Sequence, residues 1–329
     1  MQLYFNAFLF IIKLGDSMKR KIKKQVIIIP IVIIIALIGF IIIKKQIDYH
    51  NSYEYKLKKL GYSSEDITEI LKLENNQVNE LLRKDYNKDY IKFIKQKYFI
   101  FNNLDRYIDY YKNNKSIKTS TIISMVNVNR DYEYYEQTKK TDVSKNTLML
   151  VNKYNYLDET YVPDDIKDIS NYYAYDDNSI REEALNAYKE MWNAAKKEDL
   201  SLIITSAYRT YDYQEKLWNS YSTANGEKWA DSVAARAGHS EHQTGLTLDI
   251  VTYGSKMNDF ENTDEFKWLN EHAHEYGFIL RYPKDKEDIT GYSYESWHYR
   301  YVGKEVATKI KKLNITFDEY YAYFIENNK

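Results

Sequence analysis

Ser240-Glu-His242-Gln-Thr-Gly245-Leu-Thr-Leu-Asp249, answered by Glu295-Ser-Trp-His298, holds the residues best suited to chemistry. His242, Asp249 and His298 make a three-ligand set for zinc, and Glu295 stands three positions before the second histidine, as a general base would. Three protein ligands leave a fourth position open, the arrangement of a catalytic rather than a structural zinc site. The chain has no cysteine, so a thiolate-bound structural zinc is excluded. The ligands are spread from position 242 to 298, which excludes a local zinc knuckle. Taken one at a time, a lone histidine, a Glu-x-x-His or a His-x6-Asp is a weak signal. Their joint occurrence with the long Ser-Glu-His-Gln-Thr-Gly string points to a zinc hydrolase.

The elements that must position these side chains are legible from periodicity. Leu246 to Val251 alternates apolar and polar residues, which predicts a strand. Leu246, Leu248 and Ile250 would face a core, leaving Thr247 and Asp249 on the other side. His242 falls on the turn entering that strand, where Gly245 permits a tight bend. The aromatic run Trp297-His298-Tyr299-Arg300-Tyr301 predicts a second strand presenting His298, with Glu295 near its start. Arg209 follows the apolar run Leu202-Ile203-Ile204 and is expected to emerge from a strand end into a cleft. Ser179-Ile-Arg-Glu182 reads as a capping box opening a helix whose buried stripe is Ala184, Leu185, Tyr188, Met191, Trp192 and Ala195. A further helix is expected around positions 213–221. His272 and His274 lie on an amphipathic stretch, 265–276, and two-residue spacing sends them to different sides of a helix.

Four blocks of the chain resemble the zinc D-alanyl-D-alanine carboxypeptidase family, in its VanY-like and LdcB-like branch. They are Leu150-Val-Asn-Lys153 with Tyr161-Val-Pro163; Thr205-Ser206-Ala-Tyr-Arg209-Thr210 followed by Gln214; Gly238-His-Ser240 through Asp249; and Tyr276-Gly-Phe-Ile-Leu-Arg281-Tyr-Pro283 with Thr290-Gly-Tyr292 and Glu295-Ser-Trp-His298-Tyr-Arg300. The resemblance covers roughly residues 146–320. It implies that His242, Asp249 and His298 bind Zn2+, that Glu295 is the catalytic acid/base and Arg209 the transition-state cation. It further implies that Ser206, Gln214 and Ser240 line the substrate pocket. Ser296 stands where many relatives carry proline, and His239 precedes Ser240 at a variable position; neither touches a ligand. The implied fold is the α+β hedgehog/DD-peptidase type, with an antiparallel sheet carrying the zinc. The implied reaction is removal of the terminal D-Ala from peptidoglycan stem peptides. An L,D-carboxypeptidase, a D,D-endopeptidase and a zinc-bearing but non-catalytic binding module share the same motifs; the retained Glu295 and Arg209 argue against the last.

Residues 26–43 are an unbroken run of 18 apolar positions, counting Pro30 and Gly39 as tolerated. At 1.5 Å per residue they span about 27 Å, close to a bilayer core. Lys19, Arg20, Lys21, Lys23 and Lys24 precede the run and only Lys44 and Lys45 follow it, which favours a cytoplasmic N-terminus. No small-residue cleavage site follows Ile43, so an uncleaved anchor is expected rather than a signal peptide. Met18-Lys-Arg-Lys reads as a natural start, with residues 1–17 an upstream extension. The expected order is a basic cytoplasmic segment (1–25), a transmembrane anchor (26–43), a helical stalk and linker (44–145) and the zinc domain (146–329). His50 lies just outside the anchor and looks incidental. Within the stalk, Ser63-x-x-Asp66 signals a helix start. Ile67, Ile70 and Leu71, then Val78, Leu81 and Leu82, then Tyr90, Ile91, Phe93 and Ile94 mark short amphipathic helices, and 131–145 reads as a linker. The localisation expected is a single-pass cell-membrane protein with an extracellular catalytic domain. Zero cysteines fit a wall-facing protein of a Gram-positive bacterium, and a net charge of −1 leaves no nucleic-acid footprint. The 35 tyrosines accompany abundant Ile, Asn and Lys, the mark of an AT-rich genome, so they are no evidence for a carbohydrate platform.

Overall fold

The computed structural model describes residues 2–327, and their side chains except at positions 2–12, 15 and 23–28. The expected domain boundaries at Met1 and at 328–329 lie outside the described residues. The chain divides into two compact units, Met1–Lys95 and Gln96–Lys329.

In the first unit the helix Gln2–Asn51 is followed by four short ones, Tyr53–Leu60, Ser64–Ile70, Asn75–Leu81 and Asp89–Ile94. Helices this short are marginal in isolation. Each of the four buries apolar side chains: Leu57 in the first, Ile67 and Ile70 in the second, Val78 and Leu81 in the third, Ile91 and Phe93 in the fourth. Ser63 caps its helix by accepting from the Asp66 N–H at 3.1 Å, as the Ser-x-x-Asp pattern predicts. Leu71, expected on the buried stripe, is the C-cap and is exposed, because the helix ends one residue before it. Ile29–Asn51 is long and apolar enough to cross a membrane by length and composition, and none of its most apolar stretch is buried within the molecule.

The second unit is built on a four-stranded antiparallel sheet in the spatial order Ile203–Ser206, Thr247–Val251, His298–Tyr301, Phe278–Leu280. The helix Glu182–Lys197 contributes Ala184, Leu185, Tyr188, Met191 and Ala195 to one core with Ile204, Leu248 and Ile250 from the strands and with Leu202 and Leu246 just before them. Every position of Thr247–Val251 is buried. The apolar alternation is thus real, but its polar face is covered too, which a two-state reading of core against solvent does not anticipate.

Two local expectations differ. The capping box at Ser179 does not form: Asn178–Arg181 is a strand paired antiparallel with Ile166–Ile169, Ser179 sits opposite Asp168, and the helix begins only at Glu182. Hairpin pairing outcompetes a cap that the local sequence would permit. Residues 131–145, read as a linker, are tied down by several bonds. Arg106 pairs with Asp131 through both Nε and Nη2, and Lys139–Lys140 pairs with Asn155–Tyr156. Upstream of them, helix Thr119–Asn127 sends Ser124 to Glu319 at 2.7 Å, and Met125 and Val128 pack with Ile289 and Ala322. These bonds are why residues from Gln96 onward group with the sheet.

Candidate metal centre and active site

Strand register sets the site. Asp249 lies directly opposite His298 across one antiparallel pair and opposite Ser206 across the other. Opposed residues in such a ladder project to the same face with Cβ atoms about 4.5–5.5 Å apart. Ser206, Asp249 and His298 therefore form a row across three strands. His242 joins from the 3-10 turn Glu241–Thr244, which Ser240 caps by accepting from the His242 N–H at 3.3 Å. Gly245 ends that turn at φ 65°, where a Cβ would meet Ile166 at 2.8 Å and Arg181 at 2.9 Å. The turn is latched to the first strand's exit by Arg209 N–H donating to the His242 carbonyl at 3.2 Å.

The donor atoms converge. One ligand atom each from His242, Asp249 and His298 lie within 4.8 Å of one another, and all three residues are buried. His242 Nε2 is 3.5 Å from Asp249 Oδ2, and His298 Nδ1 is 3.4 Å from Asp249 Oδ1. Two bonds of zinc length at a tetrahedral angle leave their donors about 3.4 Å apart, so both edges fit a shared zinc ion. His242 Nδ1 is 2.6 Å from the Ala207 carbonyl, which fixes a proton there and leaves Nε2 for a metal. Asp249 Oδ1, on the side that faces His298 Nδ1, is buried without a hydrogen-bond partner. This residue set fits zinc.

Around these three residues stand the other expected ones. Glu295 Oε2 is 3.2 Å from His298 Nδ1, beside the converging donors. Arg209 donates to Ser206 Oγ at 2.9 Å and to Asp249 Oδ2 at 2.8 Å; it faces the cleft and is not a surface ion pair. Gln214 donates to the Ala235 carbonyl at 2.8 Å, while its Oε1 is buried with no partner. All eight expected site residues line one cavity of about 680 Å³, which Tyr282, Tyr292, Tyr221 and Trp229 also wall. His239 bonds the Asn152 carbonyl through Nδ1 at 2.7 Å, and His272 and His274 bond Glu275 and Thr308. His50 stacks on Tyr55 in the first unit.

Electrostatics separate the groups. Burial would lower the His298 pKa, but Asp249, Glu241 and Glu295 around the ring raise it well above its ordinary value. Burial, with Arg209 adding to it, pushes His242 down to about 4. Burial would raise Asp249, yet His242, His298 and Arg209 hold it well below the usual carboxylate range. Glu295 moves the other way, raised by burial against the opposing pull of His298. A carboxyl raised beside one held ionised is the division of labour acid–base chemistry needs.

Sequence reasoning passed over Glu241. It is 1% exposed and accepts from Arg281 Nε at 2.8 Å and Arg300 Nη1 at 2.7 Å. Burial would raise its pKa, and the two guanidiniums outweigh that and hold it ionised. Arg281 also reaches Asp318 at 2.6 Å. The signal was present: Arg281 and Arg300 sit in strand-forming runs, and a buried guanidinium requires a buried acid.

Known proteins share this region. The D-alanyl-D-alanine carboxypeptidase (VanY) family matches residues 177–304. The Bacillus subtilis (strain 168) protein YodJ is 41% identical over 202 residues, 57% of this chain and 74% of YodJ. The bifunctional D-Ala-D-Ala dipeptidase and D-Ala-D-Ala carboxypeptidase of Enterococcus gallinarum is 32% identical over 187 residues, 55% of this chain and 96% of that protein. Among solved structures, the LdcB LD-carboxypeptidase, described for its peptidoglycan recognition, is similar at a TM-score of 0.53 and 40% identity. That match covers 57% of this chain and 91% of LdcB.

Proposed function

The chain belongs to the D-alanyl-D-alanine carboxypeptidase family of metallopeptidases, and from that membership we propose that it is a membrane-anchored zinc D,D-carboxypeptidase. It removes the terminal D-Ala from peptidoglycan stem peptides, in a domain of the hedgehog/DD-peptidase fold. The observation that carries the reading is the convergence of His242, Asp249 and His298 with Glu295 beside them.

Zinc held by His242, Asp249 and His298 would supply Lewis acidity and lower the pKa of water towards about 7. The rest falls to the chain's own groups. Glu295 Oε2 takes the proton of the attacking water and returns it to the departing D-alanine nitrogen; its raised pKa suits both steps. Arg209, oriented by Ser206 and Asp249, presents positive charge to the oxyanion. A preorganised charge of this kind is worth roughly 10²–10³ in turnover. Gln214 Oε1, buried without a partner, offers an acceptor for a substrate N–H, and Ser240 shapes the wall behind His242. The apolar segment serves as the anchor, holding the catalytic unit outside the cell.

The likeness to an LD-carboxypeptidase supports a second reading, in which the terminal D-Ala leaves a tetrapeptide. Both readings are tested by following D-alanine release from a D-Ala-D-Ala-terminated pentapeptide by the zinc-loaded chain. Release by wild type and its loss in Glu295→Gln supports the proposal. Equal release by both proteins removes Glu295 from its role.

A further inference from the structure

The two histidines of the centre are held differently. His242 has its Nδ1 proton fixed by a backbone carbonyl, so Nε2 faces Asp249. His298 is reversed: its Nδ1 faces Asp249 Oδ1 at 3.4 Å and Glu295 Oε2 at 3.2 Å, and its Nε2 points away. On that far side, 3.8 Å from Nε2, lies Glu241 Oε2. Both atoms are buried with no hydrogen-bond partner, and the two side chains are 5% and 0% exposed.

We propose that Glu241 is a positioning residue for the metal centre: it holds the proton of His298 on Nε2 and so presents Nδ1 to the metal. This rests on the zinc reading above. The carboxylate is suited to the task because it cannot turn. Its Oε1 is gripped by Arg281 and Arg300, which leaves Oε2 as a fixed acceptor aimed at the ring. A hydrogen bond needs about 2.7–3.2 Å, so a ring movement on the order of 1 Å closes the contact. The Tyr282 ring, 4.7 Å from that of His298 between centroids, bounds the ring on another side. Carboxylates behind metal-bound imidazoles orient the ring and raise its basicity, and their loss typically costs about 10–100-fold in metal affinity. The competing account is that Glu241 only neutralises two buried guanidiniums, which predicts no effect on the metal.

The test uses the full chain in detergent, with zinc affinity measured by competition against a chromophoric chelator. Wild type should bind one zinc, and Glu241→Gln, folded by near-ultraviolet circular dichroism, should bind it about 10–100-fold more weakly. Unchanged affinity in the folded variant overturns the proposal. Losing the carboxylate leaves two buried cations short of a partner, so the variant could fail to fold. A second measurement on wild type then decides: 15N spectra of the imidazoles in the metal-loaded protein. His298 should carry its proton on Nε2 and bind metal through Nδ1; metal on Nε2 overturns the proposal. A wild type that binds no zinc refutes the underlying reading, an outcome distinct from either.

Discussion

At the scale of single residues, the centre gives each carboxylate a different task by its surroundings. Asp249 is ionised between two imidazoles and a guanidinium, Glu241 is ionised between two guanidiniums, and Glu295 alone is raised. His242→Ala should therefore abolish zinc retention after dialysis, whereas His274→Ala, whose ring bonds Thr308, should leave it intact. Metal analysis giving the reverse would refute the ligand set. Glu295→Gln should keep the metal and lower turnover by about 10²–10⁴; loss of zinc in that variant would make Glu295 a ligand rather than a base. The convergence of His242, Asp249 and His298 was legible because a long, rare string joined residues that are weak signals alone. Glu241 was not, because its neighbours in that string drew the reading. Its role depends on Arg281 and Arg300, forty and fifty-nine positions away.

Elements position these groups through register and turns. Gly245→Ala places a side chain at φ 65° against Ile166 and Arg181. Left-handed backbone costs a residue with a Cβ roughly 1–2 kcal/mol, so denaturant unfolding should show at least that loss. An unchanged midpoint would mean the turn relaxes freely. Lys153 is a second lever. Its ammonium lies over the rings of Tyr134, Tyr135 and Tyr292 and donates to the Asp231 carbonyl. Burial pushes its pKa down to about 7, with Asp231 pulling the other way. The unfolded chain, with lysine near 10.4, binds the extra proton between those values. Stability should accordingly rise with pH from about 7 towards 10, by up to about 1.4 kcal/mol per pH unit, and Lys153→Met should lose that slope. Parallel pH profiles for the two proteins would refute it. The strand at Thr247 was legible from alternation, the strand at His298 from its aromatic run, and the helix stripe from Ala184 onward from its helical spacing. The start of that helix was misread because Ser179 has a distant strand partner in Asp168, which no local pattern reveals.

Over the whole molecule, an apolar helix and short amphipathic helices precede a sheet-based unit. The apolar helix and the short helices after it were legible from composition and spacing. The grouping of residues 96–145 with the sheet was not, because it rests on pairs such as Ser124–Glu319 and Arg130 with the Asp288 carbonyl, far apart in sequence. The function proposed for the chain is that of a zinc-dependent D,D-carboxypeptidase. It is tested most directly by mass spectrometry of defined pentapeptide and tetrapeptide muropeptides after incubation with the zinc-loaded full chain. Loss of one alanine from the pentapeptide alone, abolished by a chelator and restored by zinc, is the predicted result. Loss from the tetrapeptide, or from neither substrate, would contradict it.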